Sequence, residues 1–250
     1  MKKLFVLLLL VILAGCGRKG PLIPPEALVP AAISDLKVAQ QGELFQISWS
    51  RPAKEEGGGP LRDLAGFQLF KREVLPPAED CEECPTAYRL LKAVDLDYLQ
   101  EVRRFGDLFL FSDAELRQGK TYQYKAVSLK RDGTPSRASN TARRKKVEPP
   151  LPPVLQANST PTGIVLEFVA IPFPEGGVIQ GYNIYRRRQG EAMPLRPLTA
   201  APVSGNTYED LHPERGTAYS YAVRTVALVD GEIVESVTSN EMDGALTEPD

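Results

Sequence analysis

Apolar residues recur with a period of two in four short segments of this chain, mostly with polar residues between them. Phe45, Ile47 and Trp49 alternate with Gln46 and Ser48; Ile164, Leu166 and Phe168 alternate with Val165 and Glu167. Tyr122, Tyr124 and Ala126 repeat the pattern, as do Tyr219, Tyr221 and Val223. Successive strand residues point to opposite faces, so each triplet predicts one buried face of a β-strand. Asp132-Gly133 and Asp230-Gly231 follow strand-like runs and predict hairpin turns, because both residue types tolerate positive φ. The 22 prolines and 20 glycines add many further breaks, and the whole reads as all-β.

The pattern occurs twice. Gly66-Phe67-Gln68-Leu69-Phe70-Lys71-Arg72 matches Gly181-Tyr182-Asn183-Ile184-Tyr185-Arg186-Arg187. Gly119-Lys120-Thr121-Tyr122-Gln123-Tyr124 matches Gly216-Thr217-Ala218-Tyr219-Ser220-Tyr221. Each copy then carries its Asp-Gly and ends on Ser-Asn, at Ser139-Asn140 and Ser239-Asn240. A period of about 100 residues means two domains rather than a solenoid. Each copy resembles a fibronectin type III domain. The first has Trp49 on strand B, Phe67 on strand C, and Leu116, Gly119 and Tyr122 before strand F; the second has Phe168, Tyr182, Leu211, Gly216 and Tyr219. The resemblance implies two tandem immunoglobulin-like sandwiches of about seven strands, with Tyr122 and Tyr219 as tyrosine corners. Leu211 to Tyr219 is longer than Leu116 to Tyr122, and the first copy has a long segment, Glu73 to Asp107, between strands C and E.

The N-terminus follows a different pattern. Lys2 and Lys3 precede an apolar run from Leu4 to Ala14. That run is shorter than the ~20 residues needed to span a bilayer, so it reads as an export signal. Leu13-Ala14-Gly15-Cys16 resembles the bacterial lipobox, which implies acylation of Cys16, cleavage before it and lipid anchoring. Gly17 in place of an aspartate implies the outer membrane by the same resemblance. Cys16-Gly17-Arg18-Lys19-Gly20-Pro21-Leu22 is also similar to the start of small lipoproteins that assist maturation of the lipopolysaccharide translocon. That implies a partner-binding segment over Arg18, Lys19, Gly20, Pro21 and Leu22. The bland alternative is a basic tether near anionic headgroups, where each Lys or Arg is worth about 1 kcal/mol.

The expected organisation is therefore a signal peptide at 1–15, a lipidated proline-rich tether at 16–30, a first domain at 31–147 and a second at 154–247. Between them 148–153, with four prolines, predicts an extended, semi-rigid spacer. Without the signal peptide, 28 basic residues face 32 acidic ones, so nucleic acid is not an expected partner.

Chemistry-bearing motifs are sparse. Cys81-Glu82-Glu83-Cys84 in an exported chain predicts a local disulfide, with free thiols as the alternative. No second cysteine pair exists to complete a zinc site. His212 is the only histidine, in the turn Leu211-His212-Pro213, and no Gly-x-Ser-x-Gly element accompanies it. Glu55-Glu56-Gly57-Gly58-Gly59-Pro60 and Pro174-Glu175-Gly176-Gly177 recur between strands B and C and read as turns. The basic run Arg143-Arg144-Lys145-Lys146 predicts a solvated edge strand, with lipid phosphates as the sharper alternative. The expected function is a non-catalytic, membrane-anchored interaction or scaffold lipoprotein. It would bind an envelope protein or glycan, and the alternative is an accessory role in lipopolysaccharide transport or outer-membrane assembly. No cofactor is expected beyond the covalent lipid on Cys16.

Overall fold

The computed structural model describes residues 24–169, 171–172 and 176–248. The signal segment, Cys16 and the Arg18–Leu22 motif lie outside the described residues, as do Pro174 and Glu175. Apart from a single 3-10 turn at Pro25–Ala27, the regular structure among the described residues is all strand.

The first sandwich contains β1 (Lys37–Gln41), β2 (Leu44–Ser50), β3 (Leu64–Val74), β4 (Arg89–Asp95), β5 (Val102–Phe105), β6 (Leu108–Asp113), β7 (Thr121–Lys130) and β8 (Ala142–Lys145). One sheet runs β1-β2-β6-β5 and the other β4-β3-β7-β8. The second contains β9 (Val154–Ser159), β10 (Ile164–Val169), β11 (Gly177–Arg188), β12 (Thr207–Asp210), β13 (Tyr219–Val229), β14 (Glu232–Glu235) and β15 (Met242–Gly244). Here β12-β10-β9 faces a sheet in which β13 pairs with β11, β14 and β15. Both are immunoglobulin-like sandwiches of the fibronectin type III kind, with strands A, B and E opposite C, F and G. The long segment after β3 forms β4, β5 and the loop between β3 and β4.

The alternating triplets are the cores. Phe45, Ile47 and Trp49 are buried against Phe67, Phe109 and Tyr124 in one sandwich. Ile164, Leu166 and Phe168 are buried against Tyr182, Tyr219 and Tyr221 in the other. The repeated glycine at the head of strand C has a shared cause. Gly66 and Gly181 each follow a β-bulge. At each, a Cβ would overlap a backbone carbonyl, Val94 O or Val203 O. Only glycine lets the neighbouring segment come that close.

The Ser-Asn landmarks close each sandwich. Asn140 accepts from Leu36 N and donates to Leu36 O, at 3.0 and 2.9 Å. Asn240 does the same with Leu155 at 2.9 and 2.8 Å. Ser139 and Ser239 accept from the strand-F amides of Ala126 and Val223, each at 2.9 Å. Side chains thus bridge backbone groups where the ladder is interrupted.

One sequence assignment is corrected. Leu211 is 57% exposed and does not occupy the place of Leu116, which packs on the core. Asp113 accepts from Glu115 N, and Asp210 from His212 N. This two-residue turn aligns buried Pro213 with Leu116. From Asp113/Asp210 through Tyr124/Tyr221 the repeats keep one constant offset, so no insertion separates them.

Candidate functional site

Within each sandwich a cation, buried in the first and partly buried in the second, sits between an aspartate and two tyrosines. Lys71 Nζ lies 2.6 Å from Asp113, which also accepts from the Tyr124 hydroxyl at 2.8 Å. The same ammonium donates to Glu115 O and sits 4.5 Å from the Tyr122 ring centroid. In the second copy Arg186 lies 2.7 Å from Asp210, which accepts from Tyr221 at 2.8 Å, with Arg186 over Tyr219 at 4.8 Å. Burial first, and the aspartate second, push the Tyr124 and Tyr221 hydroxyls well above their ordinary pKa. They are fixed as hydrogen-bond donors. Tyr122 and Tyr219 are the tyrosine corners, accepting from Arg117 N at 2.9 Å and Glu214 N at 3.3 Å. Recurrence at the same place in both copies marks these constellations as framework. The sequence signal for them was the pairing of Lys71 with Arg186 and of Asp113 with Asp210.

What is not repeated is more informative. The loop between β3 and β4 folds back onto the outer face of the first sandwich. Arg72 makes a two-point contact with Asp80, at 2.7 and 3.0 Å, and donates through Nε to Gln123 at 3.0 Å. Gln123 and Tyr88 both donate to Glu82, at 2.8 and 3.1 Å, and Lys125 sits 3.9 Å from the Tyr88 ring centroid. Hydrogen bonding from Arg72 holds the Asp80 carboxyl below its usual range. Burial, and then the bond to Glu82, push the Tyr88 hydroxyl up to about 12. Cys81 and Cys84 sit within this loop with sulfurs 2.07 Å apart, joined as a disulfide.

The second unrepeated feature is a seam between the sandwiches. β1 and β14 pair in parallel, with Gln40 opposite Val234 and Gln41 opposite Glu235. The two sandwiches thereby share one eight-stranded sheet. Beneath it Val147, Ala227, Val229 and Val234 form their own apolar cluster. Buried Gln40 donates to Val147 O at 2.7 Å and accepts from Val147 N at 3.1 Å. Gln41 donates to Glu235 at 2.7 Å.

This seam corrects one expectation. The basic run is not a solvated edge. Arg144 donates to Ile233 O and lies 3.5 Å from Glu232, Lys145 lies 2.8 Å from Asp230, and Lys146 is buried beside Glu43 at 2.5 Å. Burial holds the Arg144 guanidinium below its ordinary pKa, with Glu232 opposing. Only Arg143 of the four is exposed. The proline segment is packed against the fold. Val147, Pro150 and Pro153 are buried, and Leu151 O accepts from Thr225 at 2.8 Å.

The described part of the tether is docked as well. Val29 O accepts from Glu56 N, Ala27 O from Gly57 N, and Ala31 N donates to Lys54 O, at 2.8–3.0 Å. Lys130 joins the clasp, donating to Leu28 O and pairing with Glu55. The Glu55–Pro60 turn therefore grips the incoming chain. His212 is exposed, and among the described residues no cluster of His, Cys, Asp or Glu could hold a metal ion. Among the described residues no helix is long and apolar enough to cross a membrane.

No family model and no curated protein matches the chain. Among solved structures, that of the chicken CNTN1 FN1-FN3 domains is similar to it. Its identity is 14% and its TM-score 0.38, over 90% of this chain and 71% of that one.

Proposed function

We propose that this chain is a lipid-anchored, non-catalytic scaffold of the cell envelope that presents a protein- or glycan-binding surface. The observation that supports this reading most is the seam. A shared sheet, a private apolar cluster and ion pairs hold the two sandwiches in one relative orientation. Such stiffness suits display of a surface at a set distance from an anchor. The buried aspartate of each sandwich is engaged by a cation, which fits a structural role. The anchor would be Cys16, acylated and held in the outer membrane as its Cys-Gly start implies. More than one acyl chain is needed for stable anchoring, and lipoprotein processing provides several. Crosslinking in intact cells, followed by identification of captured species, tests the reading. Peptidoglycan or envelope proteins are the expected catch. Exporting the Cys16→Ser chain behind a signal peptide whose cleavage needs no lipidated cysteine is expected to move the protein to the soluble fraction; retention in the membrane would remove the anchor from the proposal.

A second reading is an accessory role in lipopolysaccharide transport or outer-membrane assembly. It is favoured by the Arg18-Lys19-Gly20-Pro21-Leu22 segment alone. Changing Lys19-Gly20-Pro21 to Ser-Ser-Ala would abolish recovery of translocon components under this reading and leave it unchanged under the first.

A further inference from the structure

We infer that one end of the first sandwich rests on anionic lipid headgroups, through the tip of the β5–β6 hairpin and the neighbouring Arg51. The inference builds on the proposed lipid at Cys16.

The clasp between Ala27–Ala31 and Lys54–Gly57 fixes where the incoming chain meets the fold. The eleven residue steps from Cys16 to Ala27 reach at most about 40 Å when fully extended. The end of the sandwich that carries the clasp is therefore the end nearest the anchor. The hairpin tip lies at this same end. Arg51 N donates to Asp107 O at 2.8 Å, and Ser50 pairs with Leu108. The tip reads Arg103-Arg104-Phe105-Gly106, with both arginines and Phe105 exposed. Arg104 Nε donates to Gly106 O at 2.7 Å, which holds its guanidinium at the turn.

The charges divide unevenly across this end. Glu55 and Asp63 pair with Lys130, and Asp97 pairs with Arg131. Among the described residues, Arg51, Lys54, Arg62, Arg103 and Arg104 have no carboxylate within salt-bridge distance. Glu26, Asp35, Glu56, Asp95, Asp107 and Asp132 are the acidic groups left on this end; of these Asp107 is at the hairpin turn, and Asp35 accepts from Ser50 N at 3.0 Å beside it. The tip is thus locally basic, with an aromatic ring between the charges. Arginine and an exposed aromatic are the side chains that settle at a headgroup boundary. The excess of positive charge is confined to the tip and is not shared by the rest of this end, so the free domain would bind lipid weakly. A short tether changes this, because it holds the tip at an effective concentration in the millimolar range. A contact too weak to recruit the protein is then strong enough to orient it. Docked this way, the first sandwich stands on the bilayer and the seam projects the second one outward.

The test uses the whole mature chain, residues 16–250, coupled through Cys16 to a maleimide phospholipid. With Cys81 and Cys84 paired, Cys16 carries the available thiol. The probe is a Phe105→Trp variant, read against the buried Trp49 of the parent chain. The vesicles are phosphatidylcholine with or without about one-third phosphatidylglycerol, the source of anionic surface potential. On anionic vesicles the Trp at 105 is expected to shift to the blue and to be quenched by brominated lipid. Adding Arg51→Glu, Arg103→Glu and Arg104→Glu is expected to lower the docked-to-free ratio by at least fivefold per arginine, since each is worth about 1 kcal/mol near such a surface. Emission at 105 that is the same on anionic and neutral vesicles, or that survives the triple reversal, would overturn the inference. Circular dichroism and Trp49 emission verify that the variants fold. The synthetic tether separates this test from the biological one: whether cells acylate Cys16 is read independently from the mass of the N-terminal peptide.

Discussion

The two sandwiches are built on one frame and differ in how they use its outside. Both keep the bulged glycine, the tyrosine corner, the Ser-Asn closure and the cation–aspartate–tyrosine set. The first adds a disulfide-bearing loop over its β3–β7 face and a clasp on the incoming chain. The second extends its β13–β14 hairpin until it joins the first. Even the hairpin turns differ. Asp230 and Gly231 both have positive φ, of 50° and 80°, the pattern of a tight two-residue turn. In Lys130–Thr134 only Gly133 does, and the turn is longer. What is repeated holds each domain together; what is unrepeated connects it to something else.

That contrast can be broken at the shared frame first. Asp113→Ala and Asp210→Ala remove equivalent carboxylates from unequal surroundings. The Lys71 side chain is 1% exposed and that of Arg186 is 21% exposed. Stranding a fully buried ammonium costs about 3–5 kcal/mol, whereas Arg186 can turn toward water. Chemical denaturation is expected to show a clearly larger loss for the first variant; equal losses would mean that Lys71 also finds solvent.

The seam gives the next largest effect. Val234→Asp places a charge in the apolar cluster with Val147, where no cation pairs with it, at a cost of several kcal/mol to the docked arrangement. Small-angle scattering is expected to show an expanded particle, and calorimetry two transitions in place of a coupled one. An unchanged scattering profile would show that the ion pairs suffice. Asn140→Ala and Asn240→Ala, by contrast, should cost alike, about 1–3 kcal/mol each, because each removes the same two backbone contacts. A large inequality would separate frames that look identical.

The smallest effects belong to the loop. Replacing Cys81 and Cys84 with serine opens a very short ring and is expected to cost about 2 kcal/mol or less, confined to the first sandwich. Limited proteolysis should then cut between Leu75 and Tyr88. The loop should also open at high pH. Tyr88 is held neutral up to about 12 in the folded protein, above its ordinary 10.0. Its contribution is therefore complete below pH 10 and is lost as pH rises through 12. Phenolate absorbance of a Tyr88→Phe variant, compared with the parent over that range, identifies the group.

The cores were legible because alternation at Phe45–Trp49 and Ile164–Phe168 follows directly from the strand period. The Ser-Asn and glycine landmarks were visible as repeats, but their work was not, since Asn140 acts on Leu36 across 104 positions. The seam was least legible. The run Arg143–Lys146 read as a charged edge. Arg144 and Lys145 find their partners between Asp230 and Ile233, too distant in sequence for any local pattern to reveal. The offset at Leu211 misled because a leucine outweighed the Asp-anchored turn beside it.

The seam also has a kinetic meaning. Gln41 meets Glu235 across 194 positions, among the longest separations in the molecule. Contacts of that span close late, after each sandwich has condensed on its own shorter-range pairings. Interactions that form after the folding barrier govern unfolding rates and leave folding rates nearly untouched. The joint should thus behave as a latch. Weakening it would leave each sandwich quick to fold while shortening the time for which the two stay shut.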